Sequence, residues 1–121
     1  MPATPHDITI EQGATYELGF VIDVGDAPYD LTGAVVRMTG RKTPRGRLIF
    51  EASTENGLMM VDDPASGEVV MVLPALMTAT FPVGDNWVYD LEIEHGDVVR
   101  RLLIGTLIVS ADVVASNDGD E

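Results

Sequence analysis

Apolar and polar residues alternate one by one along much of this chain. Over 16–24, Tyr16, Leu18, Phe20, Ile22 and Val24 share one face, with Glu17, Gly19, Val21 and Asp23 on the other. A period of two marks a half-buried strand of an antiparallel sheet. The period returns late in the chain, where Trp87, Tyr89, Leu91 and Ile93 point inward against Asp90, Glu92 and Glu94. Between these runs, Val36 and Met38 oppose Val35 and Arg37, and 47–53, 58–61 and 68–73 read as further short strands.

Turn chemistry separates the runs. Gly, Pro and Asp crowd 25–33, and Thr43, Pro44, Arg45 and Gly46 suit a β-turn. Asn56-Gly57 is the strongest short hairpin signal in the chain. Residues 62–67 and 95–97 are also turns. Pro74 suits a first helical position and Pro82 closes the segment, so 74–81 holds at most one short helical turn. The pattern predicts an all-β, immunoglobulin-like antiparallel β-sandwich of about seven to eight short strands. Residues 7–114 form the domain, 1–6 are a flexible leading segment, and 115–121 are an acidic disordered tail.

The last strand breaks the alternation. Leu102, Ile104 and Ile108 fall on one face, and Leu103, Leu107 and Val109 on the other. A strand apolar on both faces is covered twice by its own chain, or lies against a partner. Leu103 and Leu107 are therefore candidate interface residues. Gly105 is placed for a bulge or a close backbone approach.

With 121 residues and an apolar fraction of 45%, the chain has material for one core and no more. The absence of cysteine removes disulfides, thiol nucleophiles and thiolate metal sites. No run reaches the roughly 18 apolar residues that span a bilayer, and the first residues lack the pattern of a secretory signal. Neither membrane binding nor a cleaved leader is expected.

Charge changes the picture most. Twenty acids against seven bases give a net −13, which repels phosphate backbones and counts against nucleic acid as a ligand class. Five of the seven bases, Arg37, Arg41, Lys42, Arg45 and Arg47, lie within eleven residues. This basic hairpin either pairs with acids on neighbouring strands or works as an interaction finger, since arginine favours bidentate contacts to carboxylates. Asp90, Glu92 and Glu94 form an acidic ladder on one strand face. It is either a solvated face or the docking place of a basic surface. Basic finger to acidic ladder would give head-to-tail self-assembly.

Candidate chemistry is sparse. The serines have no readable histidine partner, and no phosphate-cradling glycine loop, G-x-S-x-G or H-E-x-x-H occurs. His95 in "EHGD" reads as a polar turn residue rather than a metal ligand beside Glu94 and Asp97. No catalytic residue, cofactor or metal is expected, and the chain reads as a non-enzyme.

Three segments in order carry a resemblance: "DITIEQGATYELGF", "YDLTGAVVRMTGR", and "ENGLMMVDDPASGEVVMVLPALMTATFPVGDNWVYDLEIEHGDVVRRLLIGTLIVS". The strand start, the "DLTG" turn, the "LP" segment, the "W-x-Y-D-L-E" strand and the closing "GTLIVS" resemble small virion proteins of tailed bacteriophages. The "DLTGA" segment in particular is similar to the N-terminal immunoglobulin-like domain of phage baseplate upper proteins. The resemblance spans about residues 7–114. It implies a virion structural or adaptor protein of the tail, baseplate or neck, assembled in the host cytoplasm. Such a protein contacts other virion proteins and copies of itself by particle symmetry. Relatives with receptor-binding roles continue into a stem or fibre, whereas this sequence runs out in "ASNDGDE", which favours an adaptor. A capsid decoration protein and a carbohydrate-binding sandwich are the alternatives.

Overall fold

Each alternating segment of the sequence becomes a strand whose apolar side turns toward a second sheet. The computed structural model describes residues 7–111, with the side chains of Val24, Leu103 and Ile104 outside the description. In chain order the strands are β1 (Ile8–Glu11), β2 (Tyr16–Val21), β3 (Asp23–Val24), β4 (Ala27–Pro28) and β5 (Val35–Arg41). They continue with β6 (Leu48–Ser53), β7 (Met59–Asp63), β8 (Glu68–Leu73), β9 (Gly84–His95) and β10 (Val98–Ser110). A 3-10 turn covers Pro64–Ser66 and one helix, α1, covers Ala75–Thr78.

The larger sheet has the order β1-β10-β9-β5-β6 and the smaller one β2-β8-β7, with β3 and β4 forming a separate ribbon. Counted along the chain, this places strands G, F, C and C′ of a variable-type immunoglobulin sandwich in one sheet and B, E and D in the other. Eight strands make the two layers, as the turn spacing predicts. One expectation is corrected: the sandwich is not wholly antiparallel, because β1 pairs with β10 in parallel, Ile8 beside Leu107 and Glu11 beside Ser110.

The core lies between the sheets. Val36 and Met38 of β5, Phe50 and Ala52 of β6, and Tyr89, Leu91 and Ile93 of β9 face Val69, Met71 and Leu73 of β8. Burying each large side chain contributes about 1.5–3 kcal/mol, so these strand faces dominate the stability. Phe50 and Phe81 stack with ring centres 5.5 Å apart, packing the segment after α1 against β6. On α1, the fully buried Thr78 hydroxyl donates to the Ala14 carbonyl at 2.8 Å and accepts the Gly13 amide at 3.1 Å. One side chain therefore fixes the β1–β2 connection to the helix.

One hairpin reading and the placement of a bulge at Gly105 need correction. Asn56-Gly57 does not close a hairpin, because β6 and β7 belong to different sheets. Instead the Asn56 side chain accepts the Ser53 and Leu58 amides and donates to the Glu51 carbonyl, shaping a corner that carries the chain across the sandwich. Gly105 is paired in register with Tyr89, and the irregularities of β10 lie on either side of it, between Arg101 and Leu103 and between Leu107 and Val109. Gly67 has φ +70°, and a Cβ there would stand 2.5 Å from the Ile22 carbonyl oxygen. Only glycine lets the 3-10 turn pack this closely on the end of β2.

The doubly apolar last strand is explained by its irregularity. Leu102 is the extra residue between the pairs Arg101–Glu92 and Leu103–Leu91, so the parity of the strand changes there, and both Leu102 before the shift and Leu107 after it reach the core. Leu102, Leu107 and Val109 are all buried, and Ile108 is half-buried. Leu107 is opposite Trp87 and is wholly inaccessible. Its expected role as an interface residue is therefore corrected: it is core. The Leu103 side chain lies outside the described residues, and its backbone pairs with Leu91.

Candidate functional site

The outer face of the larger sheet gathers most of the charged residues that the sequence singles out. Register sets the arrangement. On β5 and β9, Val35 pairs with Glu94, Arg37 with Glu92 and Thr39 with Asp90, and from the other side Arg101 of β10 pairs with Glu92. Directly opposite residues point to the same face, so arginines and carboxylates interleave across three strands.

Arg37 is the hub. Its guanidinium lies 3.1 Å from Glu51, 3.4 Å from Glu55, 3.7 Å from Glu92 and 3.6 Å from Glu94. Arg101 contacts Glu92 at 3.2 Å and Asp90 at 3.6 Å. The basic cluster and the acidic ladder are thus not two separated patches. Arg37 and the ladder are neighbours in one sheet and neutralise each other there. The head-to-tail contact read from the sequence loses its acidic half, since an incoming arginine would meet Glu92 already paired on both sides.

The rest of the cluster divides by position on the β5–β6 turn. The Gly46 amide donates to the Thr43 carbonyl at 3.0 Å, closing the β-turn expected at 43–46, and the Lys42 amide bonds the Arg47 carbonyl at 3.0 Å. Arg41 folds back on the turn, donating from Nη1 to the Gly46 carbonyl at 3.1 Å. Lys42 lies over the Trp87 ring, Nζ 5.2 Å from its centre, a cation–π contact. Trp87 is held in turn by a hydrogen bond from Nε1 to the Pro82 carbonyl. Arg45 and Arg47 are exposed and have no ion-pair partner among the described residues. Sequence spacing grouped five cations together; among the described residues the fold leaves two of them without an ion pair at an exposed turn.

Beside that turn runs an open polar groove of about 450 Å³, lined by Arg37, Thr39, Arg41, Pro44, Arg45, Glu51, Asp90, Glu92 and Arg101. A smaller recess of about 120 Å³ continues it toward Val88 and Tyr89. Four of the chain's seven bases border the groove beside three carboxylates, so guanidinium groups are concentrated there on a strongly negative protein. Burial pushes the Asp90 carboxyl above the ordinary aspartate range. Arg101 opposes this, Glu92 adds to it and Arg41 opposes it. Guanidinium groups do not exchange protons near neutral pH, so the groove is equipped to hold carboxylates by charge-assisted hydrogen bonds.

The remaining candidates have local partners. His95 places Nε2 3.2 Å from the Thr32 carbonyl and stacks on Tyr29 at 5.9 Å, joining the β9–β10 turn to the "DLTG" loop. Within that loop Asp30 accepts the Thr32 amide and hydroxyl, which lowers its pKa. Among the described residues no three His, Asp or Glu side chains are grouped to hold a metal ion. Three participants escaped the sequence reading of the site: Glu51, Glu55 and Arg101. Arg101 had a usable signal, because a two-residue turn at Gly96-Asp97 fixes its partner as Glu92 by counting back along the hairpin. Glu51 and Glu55 had none, since their contact depends on how β6 and the corner after it sit beside β5. No protein-family model and no curated protein matches the chain.

Proposed function

We propose that this chain is a non-enzymatic structural or adaptor protein of a tailed-bacteriophage particle, placed in the tail, baseplate or neck, which works by protein–protein contact through its β5–β6 turn. The ordered motifs of the sequence support the phage assignment. The observation that carries the contact surface is the state of Arg45 and Arg47. In a chain with twenty acids, the fold pairs Arg37 and Arg101 within the sheet yet leaves these two exposed and without an acidic partner among the described residues. Exposed arginines on a hydrogen-bonded turn, next to a groove lined by further guanidiniums, suit recognition of carboxylates on a partner.

The test is incorporation. Arg45→Glu/Arg47→Glu, both at exposed positions, leaves the fold intact and is expected to deplete the chain from assembled particles produced by complementation. Wild-type incorporation of the folded variant would remove the turn from the contact surface.

A further inference from the structure

The smaller sheet turns a second unusual surface outward, on the opposite side of the sandwich from the arginine grid. Its middle row runs Gly19, Val70, Met60 across three strands, and Val72 and Val21 lie above and below it. Met60 is 66% and Val21 53% exposed. Val70 and Val72 are half-buried and are not among the described residues that pack against the core, and a side chain on Gly19 would meet nothing within 4 Å. The charges bordering this face are all acids: Glu17 opposite Val72, Glu68 opposite Val21, and Asp62 next to Met60. No base stands on β2, β7 or β8.

An apolar centre with a purely acidic rim cannot pair with itself, because a two-fold contact would bring carboxylate against carboxylate. Its complement is apolar with a basic rim. The same chain carries that complement on its other sheet, where Arg45 and Arg47 flank the β5–β6 turn beside Leu48, which is 46% exposed. Turn and face belong to different sheets of one molecule, so the contact joins two copies rather than closing on itself.

We propose that the outer face of β2-β8-β7 receives the β5–β6 turn of a second copy, giving a heterologous, head-to-tail contact. This inference rests on the turn being a protein-contact device and names its partner. It replaces the acidic ladder with a different acceptor, one whose carboxylates are not already engaged by arginine. Three strands about 4.8 Å apart and six residues at about 3.4 Å each make a face of roughly 10 by 20 Å. That is far below the roughly 800 Å² per partner of a standard stable interface. A single contact is accordingly weak, and repetition in a ring or stack supplies the strength through effective concentration.

Sedimentation equilibrium of the full chain over a wide concentration range provides the test. Wild-type protein is expected to show a weight-average mass that climbs above the monomer at the highest concentrations. Arg45→Glu/Arg47→Glu and Glu17→Lys/Asp62→Lys, all at exposed positions, should each weaken association about tenfold or more, as like charges replace opposite ones. An equimolar mixture of the two variants should recover it, because each then offers the other complementary surfaces. The chain carrying all four changes keeps the wild-type net charge and should associate again. Circular dichroism and unfolding midpoints check that every variant folds. A wild type that stays monomeric throughout, a variant that associates as the wild type does, or a mixture that stays monomeric would each overturn the inference. If the wild type is monomeric yet the turn variant is lost from particles, the proposed function stands and only the self-contact falls.

Discussion

Arg37 stands directly opposite Glu92 in the register of β5 and β9, its guanidinium 3.7 Å from that carboxylate, and Arg101 reaches the same carboxylate from β10 at 3.2 Å. One glutamate is thus shared between two arginines on the strands flanking it, and each arginine reaches further acids. This sharing reconciles an acidic strand face with a stable sheet, because like charges two residues apart on one strand would otherwise repel.

Removal of the hub tests that statement. Arg37→Met keeps much of the apolar stem but leaves Glu51, Glu55, Glu92 and Glu94 without their common cation. Exposed pairs contribute about 0.2–1 kcal/mol each, so a destabilisation of about 1–2 kcal/mol is expected in urea titration at low salt. Salt screens such interactions, and the difference should shrink at high ionic strength. A loss independent of salt would assign the effect to packing instead.

Thr78 offers a test of the buried connection. Thr78→Val is nearly isosteric, yet it leaves the Gly13 amide and the Ala14 carbonyl without their partner. An orphaned buried polar group costs about 1–3 kcal/mol. Thr78→Ser keeps the hydroxyl and should retain more stability than Thr78→Val, with both read from urea midpoints. The reverse ranking would show that the methyl group, and not the hydrogen bonds, matters there.

Two aspartates should respond to pH in opposite senses. Burial raises the Asp90 pKa in the folded protein, so its contribution to stability is present below the unfolded value of about 3.9 and is lost as pH rises through the folded value. Bonds from the Thr32 amide and hydroxyl lower that of Asp30; its contribution is present above the unfolded value and is lost as pH falls through the folded one. Relative to wild type, Asp90→Asn should therefore gain stability as pH rises above the unfolded aspartate value of about 3.9. Asp30→Ala should instead lose stability relative to wild type as pH rises toward about 3.9 from below, and the difference should be constant above that. Parallel curves for either variant would contradict the assignment.

Much of the fold was legible in the sequence because its signals are local. The alternations at Tyr16–Val21 and Trp87–Ile93, the turn at 43–46 and the short helix after Pro74 each follow from residues within one element. What escaped was set across elements. Asn56-Gly57 carries a hairpin signal, but the strands on either side pack into different sheets, and the side chain of Asn56 serves a corner instead. Leu107 looked outward on a simple count, while the inserted Leu102 lets both parities of β10 reach the core.

The candidate site divides the same way. The cations of the β5–β6 turn stand out by spacing alone, and the Arg101–Glu92 pair could be counted from its hairpin. That Arg37 meets Glu92 required knowing that β5 lies beside β9, a contact between segments more than fifty residues apart. The acidic-rimmed face of the smaller sheet was equally hidden, because Val21, Met60 and Val70 come from three separate strands and look like ordinary core residues one at a time.

The central claim is that this sandwich is a building block of a phage particle. Its most direct test is quantitative mass spectrometry of phage particles purified from the source of the sequence, counting this chain against the major capsid protein. A fixed ratio, from a few copies to a few dozen per particle, is the predicted result and places the chain in the tail, baseplate or neck. Hundreds of copies would contradict that placement and assign it to the capsid surface, and absence from particles would contradict the structural role itself.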